Sequence, residues 1–248
     1  MAPVPPLPQK PGLQEAPRTL DRREGPYGEV VLRQRGGTPG PAEPPRAPAP
    51  VYEIIANGCF LMDTSDGRSE QLLMDVALAA LPADRERPAV LIGGLGVGFS
   101  LARAAAEPRW GRIAVVEREE AVIDWHRTGP LSALSADALA DPRTEILHTG
   151  LLACLHAAGP PFDALCLDID NGPDWTVTDD NAGLYSPAGL AACRDRLTPG
   201  GVLAVWSAQP SPAFEQALRN AGFEGVRTEE IPVVRGVPDV VHLARKGA

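Results

Sequence analysis

The run Val90-Leu91-Ile92-Gly93-Gly94-Leu95-Gly96-Val97-Gly98 constrains this chain more than any other segment. An apolar stretch ends in glycines at alternate positions, and a helix-favouring segment, Phe99 to Ala106, follows. That order predicts a buried strand, a tight turn and a helix N-terminus. Glycine lets the backbone come close to a ligand, and a helix start presents unpaired N–H groups. Roughly 20 residues on, where nucleotide-binding α/β units place an acid for ribose hydroxyls, Ile113-Ala114-Val115-Val116 ends in Glu117. Gly93, Gly94, Gly96, Gly98 and Glu117, with the adjoining Arg118, are therefore the candidate cofactor-binding residues. A purely structural strand–helix turn is the alternative.

The dinucleotide fingerprint is G-x-G-x-x-G/A. Here the spacing is Gly94-x-Gly96-x-Gly98, with Phe99 where the last small residue belongs. That spacing is closer to the G-x-G-x-G loop of class I S-adenosylmethionine-dependent transferases.

After Pro88 the hydrophobic pattern alternates between strand and helix. Strands are expected at 89–93, 112–117, 143–148, 163–168 and 201–206, and helices at 98–106, 119–127, 150–157, 186–196 and 212–221. Alternation of this kind implies a parallel sheet covered on both faces. Two further strands, 225–234 and 238–244, close the chain. The expected fold is α/β, a Rossmann-like seven-stranded class I methyltransferase sheet preceded by a small N-terminal β-hairpin domain.

Proline marks off the front of the chain, since 13 of its 27 prolines fall within residues 1–50. Residues 1–24 read as a disordered Pro-rich tail. The N-terminal β domain spans 25–82, and the nucleoside-binding transferase domain 83–248. Within 25–82, Tyr27 to Arg35 is a strand and 36–50 a Pro-rich loop. Val51–Ala56 and Cys59–Met62 form a hairpin around Asn57-Gly58, the type I′ turn pair. Leu72, Leu73, Val76, Ala77 and Ala80 recur at helical spacing in 69–81, a stripe read as core or homodimer contact.

Four widely spaced cysteines and four histidines make neither a C-x-x-C pair nor a metal cluster, so no metal is expected. The net charge of −9 disfavours non-specific nucleic-acid binding. No apolar run approaches the length of a membrane span. With no basic-then-apolar leader pattern at its start, the chain is expected in the cytoplasm.

Taken together, YGEVVLRQR, VYEIIANGCFLMDTSDGRSEQ, VLIGGLGVG, VVERE, FDALCLDIDNGPD, LYSPAGL and LTPGGVLAVWS resemble, in order, the spermidine synthase family and its bacterial spermidine synthase-like relatives. The resemblance covers about residues 25–210. It implies a transferase of polyamine biosynthesis that binds decarboxylated S-adenosylmethionine, or S-adenosylmethionine itself, and alkylates a small amine. It also implies that Thr149-Gly150, standing where the family usually has Asp-Gly, sits near the adenine, and that the gate run Ser69-Glu70-Gln71-Leu72 keeps Glu70 as a substrate anchor. Departures accompany the match. Gly96 stands where the family loop carries an Asp for the cofactor's aminopropyl amine, and the Tyr and His of the family's gate are absent. A small-molecule methyltransferase, or a catalytically weak nucleoside-binding protein, remain as alternatives.

Asp168 follows the apolar run Ala164 to Leu167, at the carboxyl end of a strand, where open α/β sheets bind ligands. Asp168 and Asp170 are the catalytic candidates, because a carboxylate can hold a cationic amine and accept its proton. Asn171 and Tyr185 are candidate acceptor contacts. Tyr185 reads equally as a packing residue, Trp125-His126 as part of a surface helix, and Trp206-Ser207 as core and turn.

Overall fold

The computed structural model describes residues 16–36, 49–177, 181, 183–233 and 236–247. Most of the expected Pro-rich loop and the first fifteen residues of the expected tail lie outside them.

Two sheets organise the chain. The first is antiparallel, in the order β1 (Arg18–Gly25), β2 (Gly28–Arg35), β3 (Val51–Ala56), β4 (Cys59–Asp63). Asn57 and Gly58 turn β3 into β4 with positive φ at both positions, as a type I′ turn requires. β1 is a correction to the sequence reading, which assigned 18–24 to the tail. Its sequence, RTLDRREG, carries a single large apolar residue, so hydrophobic periodicity is silent there. Pairing holds it instead. It runs antiparallel to β2, the Trp125 Nε1–H donates to Asp21 Oδ2 at 2.8 Å, and Arg23 pairs with Asp124 at 2.8 Å.

The second sheet has seven strands. Five of them, β5 (Ala89–Gly93), β6 (Arg112–Glu117), β7 (Thr144–His148), β8 (Phe162–Leu167) and β9 (Leu197–Ser207), are contiguous and parallel. β10 (Phe223–Ile231) and β11 (Asp239–Lys246) close it, β11 running antiparallel between β9 and β10. The order β10-β11-β9-β8-β5-β6-β7 is that of the class I methyltransferase sheet anticipated from sequence. The strand order reverses between β5 and β8, so the ends of these strands form the crevice where such sheets bind ligands.

Helices α1 (Arg68–Ala80), α2 (Phe99–Ala106), α3 (Glu120–Arg127), α4 (Ser132–Ala140), α5 (Leu151–His156), α6 (Pro187–Arg196) and α7 (Pro212–Asn220) cover both faces. α4 was not anticipated. Its segment SALSADALA is mostly small residues, with two leucines five positions apart, so a helical apolar stripe is nearly absent.

The front sheet does not enclose a core of its own. Val30, Leu32 and Ile54 share one apolar cluster with Leu73, Met74 and Ala77 of α1 and Val90 and Ile92 of β5. The stripe on α1 is thus internal core. α1 packs against β8, β9 and β11, and its N-terminal turn lies at the crevice.

Candidate functional site

A cavity of about 750 Å³ opens at the switch point, lined by both sheets and α1. Its size is that of a small-molecule or cofactor site. Of the candidate residues, Glu70, Gly94, Gly96, Glu117, Arg118, Thr149, Asp168, Asp170 and Asn171 line it. Gly93, Gly98, Gly150 and Tyr185 do not.

The glycine loop is built for close approach. Gly94, Gly96 and Gly98 all have positive φ. A Cβ on Gly94 would collide with the Asp168 carbonyl oxygen, and one on Gly96 with Met62 Sδ. Gly93 ends β5 below the loop, where a Cβ would press on Leu151 and Leu167. Gly98 precedes α2 and meets His126 from behind. Gly150 caps α5 outside the cavity wall.

His126 replaces the surface-helix reading with a supporting role. Its ring is buried, with Nδ1 at 2.8 Å from Ser135 Oγ and Nε2 at 2.8 Å from the Gly96 carbonyl oxygen. Burial lowers its pKa, so the neutral ring holds the loop from below. Trp125 is buried beside it. The sequence signal was present but ambiguous, since His and Trp suit either face of a short helix.

Glu117 sits at the end of β6. Its Oε2 accepts the Leu95 N–H at 3.0 Å and its Oε1 accepts the Glu119 N–H at 2.8 Å. Burial raises its pKa, and these backbone donors oppose the rise. The carboxylate thus fixes the loop and the following turn while still facing the cavity. Neighbouring Arg118 stacks over Tyr27 at 4.4 Å, tying the front sheet to this rim. Thr149 donates its N–H to the Glu117 carbonyl oxygen at 3.1 Å.

Acids collect across the cavity. Asp168 N–H donates to the Gly93 carbonyl oxygen at 2.9 Å, which fixes the backbone beside the loop, and Ser100 Oγ donates to Asp168 Oδ2 at 3.4 Å. Burial first, then the nearby charge of Asp239, pushes the Asp168 carboxyl up to about 7. Glu70, 7% exposed in the first turn of α1, is pushed up to about 8, mainly by burial and then by Asp168. Its Oε2 has no hydrogen-bond partner. Asp239 at the start of β11 accepts from Ser69 Oγ at 2.6 Å. Asp239 was missed from sequence: it lies 71 residues after Asp168 in a segment with no motif. Only the antiparallel insertion of β11 next to β9 brings it here. Trp206, read as core, also reaches the cavity wall from β9.

Asp170 has positive φ and accepts from Asn181 Nδ2 at 2.9 Å. Asn171 is buried, its Nδ2 unpartnered. Tyr185 corrects the acceptor-pocket reading. It packs edge-on against Phe214 at 5.5 Å, with burial driving its hydroxyl pKa upward. No His/Cys/Asp/Glu group suited to a metal ion occurs among the described residues. No helix there is long and apolar enough to cross a membrane.

A glycine-loop cradle at the switch point of a β10-β11-β9-β8-β5-β6-β7 sheet defines the class: a Rossmann-like chain of the class I methyltransferase fold. Comparison with known proteins narrows the likeness. No protein-family model matches the chain. Over 166 residues it is 31% identical to the polyamine aminopropyltransferase of Nitrosomonas europaea, a match covering 65% of this chain and 48% of the relative. The match thus spans about half the length of that relative. A spermidine synthase crystallised with the transition-state analogue AdoDATO superposes with a TM-score of 0.71 at 19% identity, covering 93% of this chain and 74% of that one. Spermidine synthase from Thermotoga maritima gives 0.68 at 19% identity, with 93% and 73% covered. The N-methyltransferase NodS of Bradyrhizobium japonicum gives 0.53 at 13%, with 73% and 96% covered. The sequence resemblance is to aminopropyltransferases, and the structural likenesses establish the shared fold.

Proposed function

We propose that the chain is a spermidine synthase-like alkyltransferase that moves the aminopropyl group of decarboxylated S-adenosylmethionine onto a small primary amine. One observation carries the reading: a glycine loop with positive φ and a cluster of acids share a single cavity of about 750 Å³. The cradle suits an adenosyl group, with Glu117 facing the ribose and Thr149 the base, because Gly94, Gly96, Glu117 and Thr149 line one cavity at the ends of the parallel strands. The acids suit a cationic partner.

When bound, the donor supplies a carbon activated by the neighbouring sulfonium. The amine nitrogen forms a bond to that carbon, and the electron pair of the broken C–S bond returns to sulfur as a neutral thioether. The amine must be neutral to attack. Asp168, with its carboxyl near the middle of its titration at neutral pH, is suited to take the ammonium proton and pass it to solvent. Asp239 offsets positive charge beside it, and the unpartnered Oε2 of Glu70 can accept an ammonium N–H. The remaining catalysis is positioning, since in-line displacement depends on alignment.

Methyl transfer from S-adenosylmethionine is the second reading, favoured by Gly96 in place of a loop carboxylate. The test offers both donors with a panel of amines and follows the nucleoside product by mass spectrometry. Methylthioadenosine formed only when an amine is present supports aminopropyl transfer. S-adenosylhomocysteine instead establishes the methyltransferase, and neither product, with the donor bound, sinks both.

A further inference from the structure

The cavity changes character from floor to mouth. Glu70, Asp168 and Asp239 lie on the floor, beside the first turn of α1. Phe60 from β4, Trp175 from the loop after β8 and Val237 before β11 line the same cavity and are 50%, 58% and 49% exposed. These are three of the four large hydrophobic side chains that stand exposed among the described residues. They come from three separate segments and face one cavity. A converging exposed apolar patch marks a binding surface.

The other acids of the wall are already engaged. Asp63 pairs with Arg35 at 2.6 Å, Asp66 with Arg68 at 2.6 Å and Glu119 with Arg118 at 3.6 Å. Glu117 and Asp170 hold the backbone and Asn181 donors already described. On the floor, by contrast, Glu70 is more than nine-tenths buried with Oε2 unpartnered. One ammonium therefore finds a ready place, and a second, nearer the mouth, would lose water against Phe60, Trp175 and Val237.

Resting on the transferase reading above, we propose that the acceptor is a monoamine with an apolar body rather than a diamine. Its ammonium sits on the Glu70–Asp168–Asp239 floor, and its hydrocarbon or aromatic part lies against the Phe60–Trp175–Val237 collar. Each methylene buried there contributes about a fourfold gain in affinity, so chain length is itself a readout.

The experiment compares propylamine, hexylamine, 2-phenylethylamine and putrescine as acceptors with each donor. In parallel, hexylamine and putrescine are titrated calorimetrically into the protein, with and without methylthioadenosine. The expected result is a kcat/KM for hexylamine and phenylethylamine at least tenfold above putrescine. In Trp175→Ser and Val237→Ser, KM for hexylamine should rise roughly tenfold and the hexylamine-to-propylamine preference should collapse. A preference for putrescine, or an equal loss for every amine in the variants, overturns the inference. If neither donor yields alkylated amine, the transferase reading fails while calorimetry still decides this one. Hexylamine binding weakened by Trp175→Ser sustains it, and absent or unaltered binding overturns it. Loss of self-association in Trp175→Ser with amine selectivity intact assigns the collar to a second copy of the chain and also overturns it.

Discussion

Replacing Glu70 by Gln should make the protein more stable at alkaline pH, although it removes a buried side chain's charge. The Glu70 carboxyl rises from 4.5 to about 8 on folding, because ionising it means placing a charge at a largely buried position next to Asp168. A carboxyl raised in this way binds its proton more tightly in the native state than in the unfolded chain. Stability therefore falls as pH climbs from the unfolded value towards the folded one. Linkage across that window gives a loss of roughly 3 kcal/mol between about pH 4 and pH 7 for this group. Glu70 and Asp168 repel each other, so the protons leave as a pair and the loss is spread over both. Gln keeps the shape and cannot ionise. For a chain of this length 1 kcal/mol moves Tm by about 2–4 °C. Glu70→Gln should match the parent near pH 5 and melt roughly 5–10 °C above it at pH 8, without ligand. Calorimetric melting of both proteins from pH 4.5 to 8.5 checks this. A Tm difference that is constant with pH, or a variant that loses ground as pH rises, would refute the account of a proton trapped by burial.

Asp168→Asn should cut turnover by roughly 10²–10⁴-fold, the effect of a lost general base, and abolish the rise of kcat/KM with pH through about 7 that its displaced carboxyl implies. Glu117→Ala should weaken nucleoside binding by a factor of about 10–150, a lost charge-assisted bond of roughly 1.5–3 kcal/mol, as read by calorimetry. His126→Ala should lower stability by about 1–3 kcal/mol in denaturant titration and loosen the nucleoside cradle, since it removes the ring nitrogen that holds the Gly96 carbonyl oxygen. Deleting residues 1–24 removes all but the last residue of β1 and should destabilise the chain measurably, because Trp125 Nε1 then loses Asp21. An unchanged melting curve would show that β1 contributes little.

Local pattern determined much of this protein. The strand–loop–helix at Val90 to Ala106, Glu117 at the next strand's end and Asp168 at the fourth follow from short-range rules: apolar runs make buried strands, glycines make close turns, and ligands meet strand ends. The Asn57-Gly58 hairpin is equally local. What stayed hidden depended on partners distant in the chain. β1 is held by β2 and by Trp125, not by its own apolar content. α4 has almost no periodic face to betray it. His126 became a prop for the loop because α3 passes beneath Gly96. Tyr185 turned inward onto Phe214. Asp239 joined Glu70 and Asp168 only because β11 runs antiparallel beside β9 and delivers its first residue to the crevice. Burial and that meeting of three carboxyls, rather than any residue's identity, raise two of their proton affinities towards neutrality, so the pocket's electrostatics belong to the tertiary structure alone.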